Sequence, residues 1–201
     1  LLAAWFRWGG VSQWRANSAG KTLAGQRDEV GQKVGQALTQ TKKRVADAAA
    51  APAVVTAAAG TDPAALQSAF AAAAKGAQET EIFPADLQAA YAGLPATGYG
   101  KLAVVEAAIA SGKPEVRVAR VGKGNAFVAA APLPKGQVAV ATYPLQPVQA
   151  AMDAANSGNG YLALRQGTAT ISEKGDKGLV DGAESLAIKV PGTELRVAAA
   201  A

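Results

Sequence analysis

Between residues 11 and 49, apolar side chains return every three, four or seven positions. Leu23, Val30, Val34, Leu38, Thr41, Val45 and Ala48 make the stripe, with Lys, Arg, Gln and Asp between them. That period predicts one long helix from Val11 to Ala49. Gly20, Gly25, Gly31 and Gly35 each weaken it by up to ~1 kcal/mol relative to alanine where they lie in its interior. So thin a stripe implies packing on a partner helix or on the residues that follow. The run AAAAP, Ala48 to Pro52, ends or kinks the helix. Asp62 as N-cap and Pro63 at the first helical position then start another, through about Lys75. A short helix is expected from Pro84 to Tyr91. After the Gly- and Pro-rich link AGLPATGYG, another runs from Lys101 to Ser111.

At Gly112-Lys-Pro114 the character changes. VRVARV (116–121), AFVAAAP (126–132) and QVAVATY (137–143) read as strands, joined by the glycine-bearing hairpin turns GKGN and LPKG. A helix from Gln146 to Ala155 follows and is stopped by Asn156-Ser-Gly-Asn-Gly160. YLALRQ (161–166), TATIS (168–172), SLAIKV (185–190) and ELRVAAA (194–200) add strands around the charged loop EKGDKG. Hairpin-linked strands favour an antiparallel sheet with helices on one face. The expected fold is α+β, a long N-terminal helix followed by a sheet with flanking helices.

The length, 201 residues, allows one domain with a proper core or a domain plus an accessory helix. Half the chain is apolar, but much of that is alanine, with three Trp, four Tyr and four Phe. Such a core encloses at most a modest pocket. Cysteine and histidine are both absent. That removes thiol chemistry, histidine general bases, Ser-His-Asp triads and the usual Cys/His zinc sites.

The net charge of +5 is uneven. Residues 1–45 carry eight Lys/Arg against Asp28 and Glu29, while the other 156 residues hold twelve basic and thirteen acidic side chains. A basic first quarter on a near-neutral body predicts contact with an anionic surface. The chain opens with LLAAWF and RWGGVSQWR, the pattern of the last turns of a membrane-spanning helix and its interfacial belt. Trp5, Phe6, Trp8 and Trp14 would lie at headgroup depth, with Arg7 and Arg15 reaching phosphates. Nucleic acid is not the expected partner, because no aromatic residue interleaves the basic ones after Trp14.

The stretch NSAGKT, Asn17 to Thr22, matches the tail of a nucleotide-binding phosphate loop. That loop needs a glycine five residues before Gly20, and Arg15 stands there. A Lys and a Thr on a polar helix is the better reading.

EIFPADL, the sheet entry GKPEVRVARV and the stretch NAFVAAAPLPKGQVAVATYPLQPVQAAMDAA together resemble the PAS-like Cache sensor domains of bacterial membrane receptors, over about residues 20–165. EIFPADLQAAYAG, GYGKLAVVEAA, GYLALRQG and VPGTELRVAAA further resemble the N-terminal region of long bacterial phosphomannomutase/phosphoglucomutases, over most of residues 79–201. The resemblance implies a juxtamembrane basic helix (1–50) and a Cache-like sensor domain (51–201). It implies a periplasmic location, an inner-membrane anchor, a homodimer through helix 11–49 and catalysis downstream. The mutase phosphoserine motif and aspartate-rich magnesium loop are both missing, so no catalytic residue is carried over.

Amino-acid-binding Cache domains use aromatic and Arg residues before and within their first strands. The positions here are Tyr91 and Tyr99, then Arg117 and Arg120, with Tyr143 able to cap a pocket. An Arg fork suits a small anionic ligand. Strand alternation sets Arg117 and Arg120 on opposite faces, so at most one enters a given pocket, and both being solvated is the plain alternative. Glu79/Glu81 and Asp176/Asp181 are carboxylate pairs without supporting spacing for acid–base work or a cation. The expectation is a non-catalytic chain with no cofactor and no metal.

Overall fold

A computed structural model of the chain describes residues 22–94 and 96–201. The membrane-belt reading of Trp5 to Arg15, the first part of the expected helix 11–49 and most of NSAGKT lie outside those residues. Thr22 lies inside, and its Oγ1 accepts from the Gly25 N–H at 3.2 Å. The Thr of the phosphate-loop lookalike therefore caps a helix start, as serine and threonine commonly do.

The helices are α1 (Leu23–Ala49), α2 (Pro52–Ala59), α3 (Pro63–Ala73), α4 (Gln88–Ala92), α5 (Tyr99–Ser111) and α6 (Gln146–Ala154). The strands are β1 (Glu79–Phe83), β2 (Glu115–Val121), β3 (Gly124–Pro132), β4 (Val138–Pro144), β5 (Tyr161–Gln166), β6 (Ala169–Gly175), β7 (Ile188–Lys189) and β8 (Leu195–Ala200). The α+β class expected from the sequence is what the chain adopts. Its strands form two antiparallel sheets of four, in the orders β1-β4-β3-β2 and β6-β5-β8-β7. Contacts gather the chain into two units, one of residues up to Gly35 with Pro147–Ala201, the other of Gln36–Gln146. Among the described residues no helix is long and apolar enough to cross a membrane.

In the second unit, the first sheet carries helices on both faces rather than one. Register and alternation place Glu79, Glu81, Phe83, Val128, Ala130, Val138, Val140 and Ala119 on one face, where Val104, Val105 and Ala108 of α5 join their core. The opposite face holds Thr80 and Tyr143, which meet Gln67 of α3 and Arg44 of α1. β3 and β4 are thus buried on both sides, which explains the nearly unbroken apolar runs Ala126–Ala131 and Val138–Ala141. Gly100 lets α5 come this close. A Cβ there would stand 2.8 Å from Ala119 Cβ on β2.

Two local expectations are corrected, and one strand, β1, was not expected at all. β1 was hidden because the face it turns toward α5 carries Glu79 and Glu81, so its alternation does not read as apolar. Pro52 ends one helix and also begins another, α2, whose Val54 and Ala58 are buried at an i, i+4 spacing. The strand expected over 185–190 shrinks to Ile188–Lys189. Ahead of it Asp176 accepts from the Gly178 N–H at 2.8 Å and starts a 3-10 segment, Lys177–Leu186.

In the first unit, sheet β6-β5-β8-β7 has one face toward residues 23–35 of α1. Gly31 and Gly35 pass Ile188, Val197 and Val190 there. A methyl at Gly31 would stand 3.4 Å from Ile188 Cδ1, and one at Gly35 3.7 Å from Val190 Cγ1. The stripe of α1 is consumed inside the chain: Val30, Val34, Leu38, Thr41, Val45 and Ala48 are all buried. The other face of this sheet lies under the 3-10 segment, where Ala183, Leu179 and Val180 pack with Tyr161, Ala163, Ala198 and Ala200.

Candidate functional site

The five residues singled out from sequence do not form one constellation. Arg117 and Arg120 are exposed on β2, an edge strand, and turn to opposite faces. Arg120 donates to the Lys123 carbonyl at 3.3 Å. Tyr99, at the start of α5, is 71% exposed. Tyr91 donates to Glu106 Oε1 on α5, and that hydrogen bond, with some burial and the charge of Glu106, raises the phenol above its ordinary value.

Tyr143 is buried in the first sheet, and its hydroxyl finds no hydrogen-bond partner among the described residues. The Arg44 guanidinium stands over its ring, 4.4 Å from the centroid, and donates to the Lys75 carbonyl at 2.7 Å. Burial raises the Tyr143 phenol and the charge of Arg44 works against that rise. The residue expected to cap a pocket is instead covered by a cation–π contact.

Two charge clusters stand out, one on each sheet. On the first, Lys101 of α5 lies between β1 carboxylates, 3.0 Å from Glu79 Oε1 and 3.2 Å from Glu81 Oε2. Burial works to lower the Lys101 pKa, and the hydrogen bonds and charges of the two glutamates outweigh it, so the net direction is upward. The Glu79/Glu81 pair read from sequence as a conceivable cation site therefore has its cation in the chain. Glycine at position 100 seats that lysine by letting the first turn of α5 touch β2.

On the second sheet, Glu184 of the 3-10 segment bridges two strand arginines. Its Oε1 accepts from Arg165 Nη1 at 2.6 Å and Arg196 Nη2 at 2.7 Å, and its Oε2 accepts from Arg196 Nε at 2.8 Å. Hydrogen bonds from Arg196 and then Arg165 hold its carboxyl at about 2. Arg165 Nη2 also reaches the Tyr161 hydroxyl at 3.4 Å, while Arg165 Nε is buried without a partner. Tyr161 donates to Glu173 Oε2 at 2.7 Å, and Lys177 lies 3.1 Å from Glu173 Oε1. Burial and the bond to Glu173 push the Tyr161 phenol up. Beside the cluster is an open groove of about 420 Å³ lined by Gly167, Ala187, Ile188, Lys189, Glu194 and Arg196.

Compared with models of known protein families and with curated proteins, the chain matches none. What the site can do therefore rests on its own geometry. Paired guanidinium groups supply planar, forked donors that suit carboxylates and related anions. Asp176, half of the second carboxylate pair read from sequence, is spent capping the 3-10 segment. Among the described residues no group of three or more acidic side chains could hold a metal ion.

Sequence reasoning missed Arg165 and Arg196. A signal was present: YLALRQ and ELRVAAA each carry one arginine within a largely apolar run. A lone cation at an inward strand position needs an anion, and the partner that supplies it is distant in sequence.

Proposed function

We propose that this chain is an extracytoplasmic sensory or regulatory domain of a membrane-anchored bacterial protein. Within that reading it is the non-catalytic, Cache-like N-terminal region of a phosphomannomutase/phosphoglucomutase. A chemoreceptor or histidine kinase is the alternative parent. The observation that carries the reading is the arginine pair Arg165 and Arg196, beside an open groove on an antiparallel sheet. Such a pair suits a small anionic ligand rather than bond-making chemistry. The α+β element order, from the long helix into hairpin-linked strands, supports the resemblance that gives the parent. Its partners are an anionic membrane surface for the N-terminal segment and a second copy through helix 11–49. Because the apolar stripe of α1 is buried within the chain, that pairing uses the polar face of the helix.

A ligand-free spacer is the competing reading, and one observation favours it. Tyr143, where a pocket would open in the first sheet, is filled over by Arg44. Location is tested by joining alkaline phosphatase after Ala201 in the native gene. Phosphatase activity in intact cells is expected. An inactive fusion, with a fluorescent reporter lit at the same junction, sinks the extracytoplasmic reading.

A further inference from the structure

Three cationic residues occupy one row across the second sheet. Arg165 of β5 is directly opposite Arg196 of β8, and Arg196 is directly opposite Lys189 of β7. Direct cross-strand partners share a face, with Cβ atoms about 5 Å apart, and like charges so placed destabilise a sheet. An all-protein solution would alternate the signs along the row. This row instead carries three cations and takes one of its anions from outside the sheet, as Glu184. Glu194 lines the neighbouring groove but belongs to neither the row nor the bridge.

Glu184 stands on the exposed end of its segment, residues 184–186. Its 3-10 segment runs ten residues, although such runs rarely exceed three or four because their hydrogen bonds are poor. Of that segment only Ala183 is fully buried, and the Glu184 side chain is 43% exposed. The rest of the segment is held by Leu179, Val180 and Ala183, which pack on the sheet, by the Asp176 cap and by the Leu186 carbonyl, which accepts from Arg27 Nη1 at 2.8 Å. Meanwhile Arg165 Nε, a buried donor of the same fork, is unused.

We infer that Arg165, Arg196 and Lys189 form a receptor for a small dicarboxylate, and that Glu184 occupies it as an internal stand-in for the first carboxylate of the ligand. In the bound state one ligand carboxylate takes the place of Glu184 on the two guanidinium groups. The second reaches Lys189, one strand spacing further along the row and over the open groove. The exposed end of the 3-10 segment, residues 184–186, loses its bridge and swings away from the sheet, while Leu179, Val180 and Ala183 stay packed. Ligand occupancy is thereby converted into a change of chain conformation. The biological use of that change rests on the sensory reading above, whereas the binding itself does not.

The test is calorimetric titration of succinate, acetate and inorganic phosphate into the purified chain and its variants. An internal competitor lowers apparent affinity by the fraction of time the site is open, so E184Q should bind succinate about tenfold more tightly than the native chain. E184A should do the same, and circular dichroism shows which of the two retains the fold. K189A in the E184Q background should cut succinate affinity to that of acetate, and R196A should abolish both. Succinate affinity that is equal in native and E184Q chains overturns the proposal, as does binding that survives R196A. So does phosphate bound as tightly as succinate, because that makes the row a general anion patch. A chain that binds succinate but whose phosphatase fusion is inactive keeps the receptor and loses the extracytoplasmic reading. Failure to bind with an active fusion does the reverse.

Discussion

The two sheets solve the same electrostatic problem with opposite signs. On the first, one cation sits between two anions, Lys101 between Glu79 and Glu81. On the second, one anion sits between two cations, Glu184 between Arg165 and Arg196. The difference lies in what delivers the central charge. Lys101 comes from a thirteen-residue α-helix that buries Leu102, Val104, Val105 and Ala108, and its side chain is only 11% exposed. Glu184 comes from a 3-10 segment with a single fully buried residue. A charge held by a packed helix is part of the architecture. One carried on the exposed end of a 3-10 segment, beyond its last buried residue, can be exchanged for another anion of the same shape.

The severest way to break the comparison is to remove the interior that fixes the first sheet. Phe127→Ala on β3 should lower the unfolding free energy by about 3–5 kcal/mol in urea denaturation, because the side chain is fully buried on an interior strand of the sheet. A smaller but more pointed change is Gly100→Ala. It sets a methyl against Ala119 Cβ and should cost about 1–3 kcal/mol by overpacking. If the helix seats Lys101, that variant should also weaken the Lys101 pairs, seen as a fall of the lysine pKa by NMR.

Lys101→Met keeps the buried stem and removes the charge. The loss of two half-exposed pairs should cost about 1 kcal/mol. The lysine pKa is raised in the folded state, so its contribution is present at neutral pH and disappears as pH rises through that raised value. The smallest effect on stability is expected from Glu184→Gln, less than about 1 kcal/mol at neutral pH, because the carboxylate is substantially exposed. Its folded pKa of about 2 lies below the ordinary value. The stabilisation is therefore present above ~4.3 and lost as pH falls toward 2, so native and E184Q melting temperatures should converge in acid.

Most of the elements were legible because their periods are long or their caps explicit. Asp62 does accept from the Ala64 N–H, at 3.0 Å, and Pro63 does open its helix. Strands β2, β3 and β4 fall within two residues of their expected ends because glycine-bearing turns punctuate them. The division into two sheets was not legible. Nothing local says that β5 pairs with β8 rather than with β4, since that choice is made by contacts far apart in sequence. The glycines of α1 read as weak points, whereas Gly31 and Gly35 face Ile188, Val197 and Val190. The candidate site suffered most. Tyr and Arg near the first strands were visible by type, but the arginines that share an anion meet only through register and a 3-10 segment that the sequence reading did not contain.

The most direct measurement of the central claim is hydrogen exchange of the native chain with and without saturating succinate, read by mass spectrometry. Residues 184–186 should exchange faster when succinate displaces Glu184, while residues 99–111 of α5 stay unchanged. Exchange over 184–186 that is unaltered or slowed by succinate would contradict the account and leave Glu184 a fixed structural bridge like Lys101.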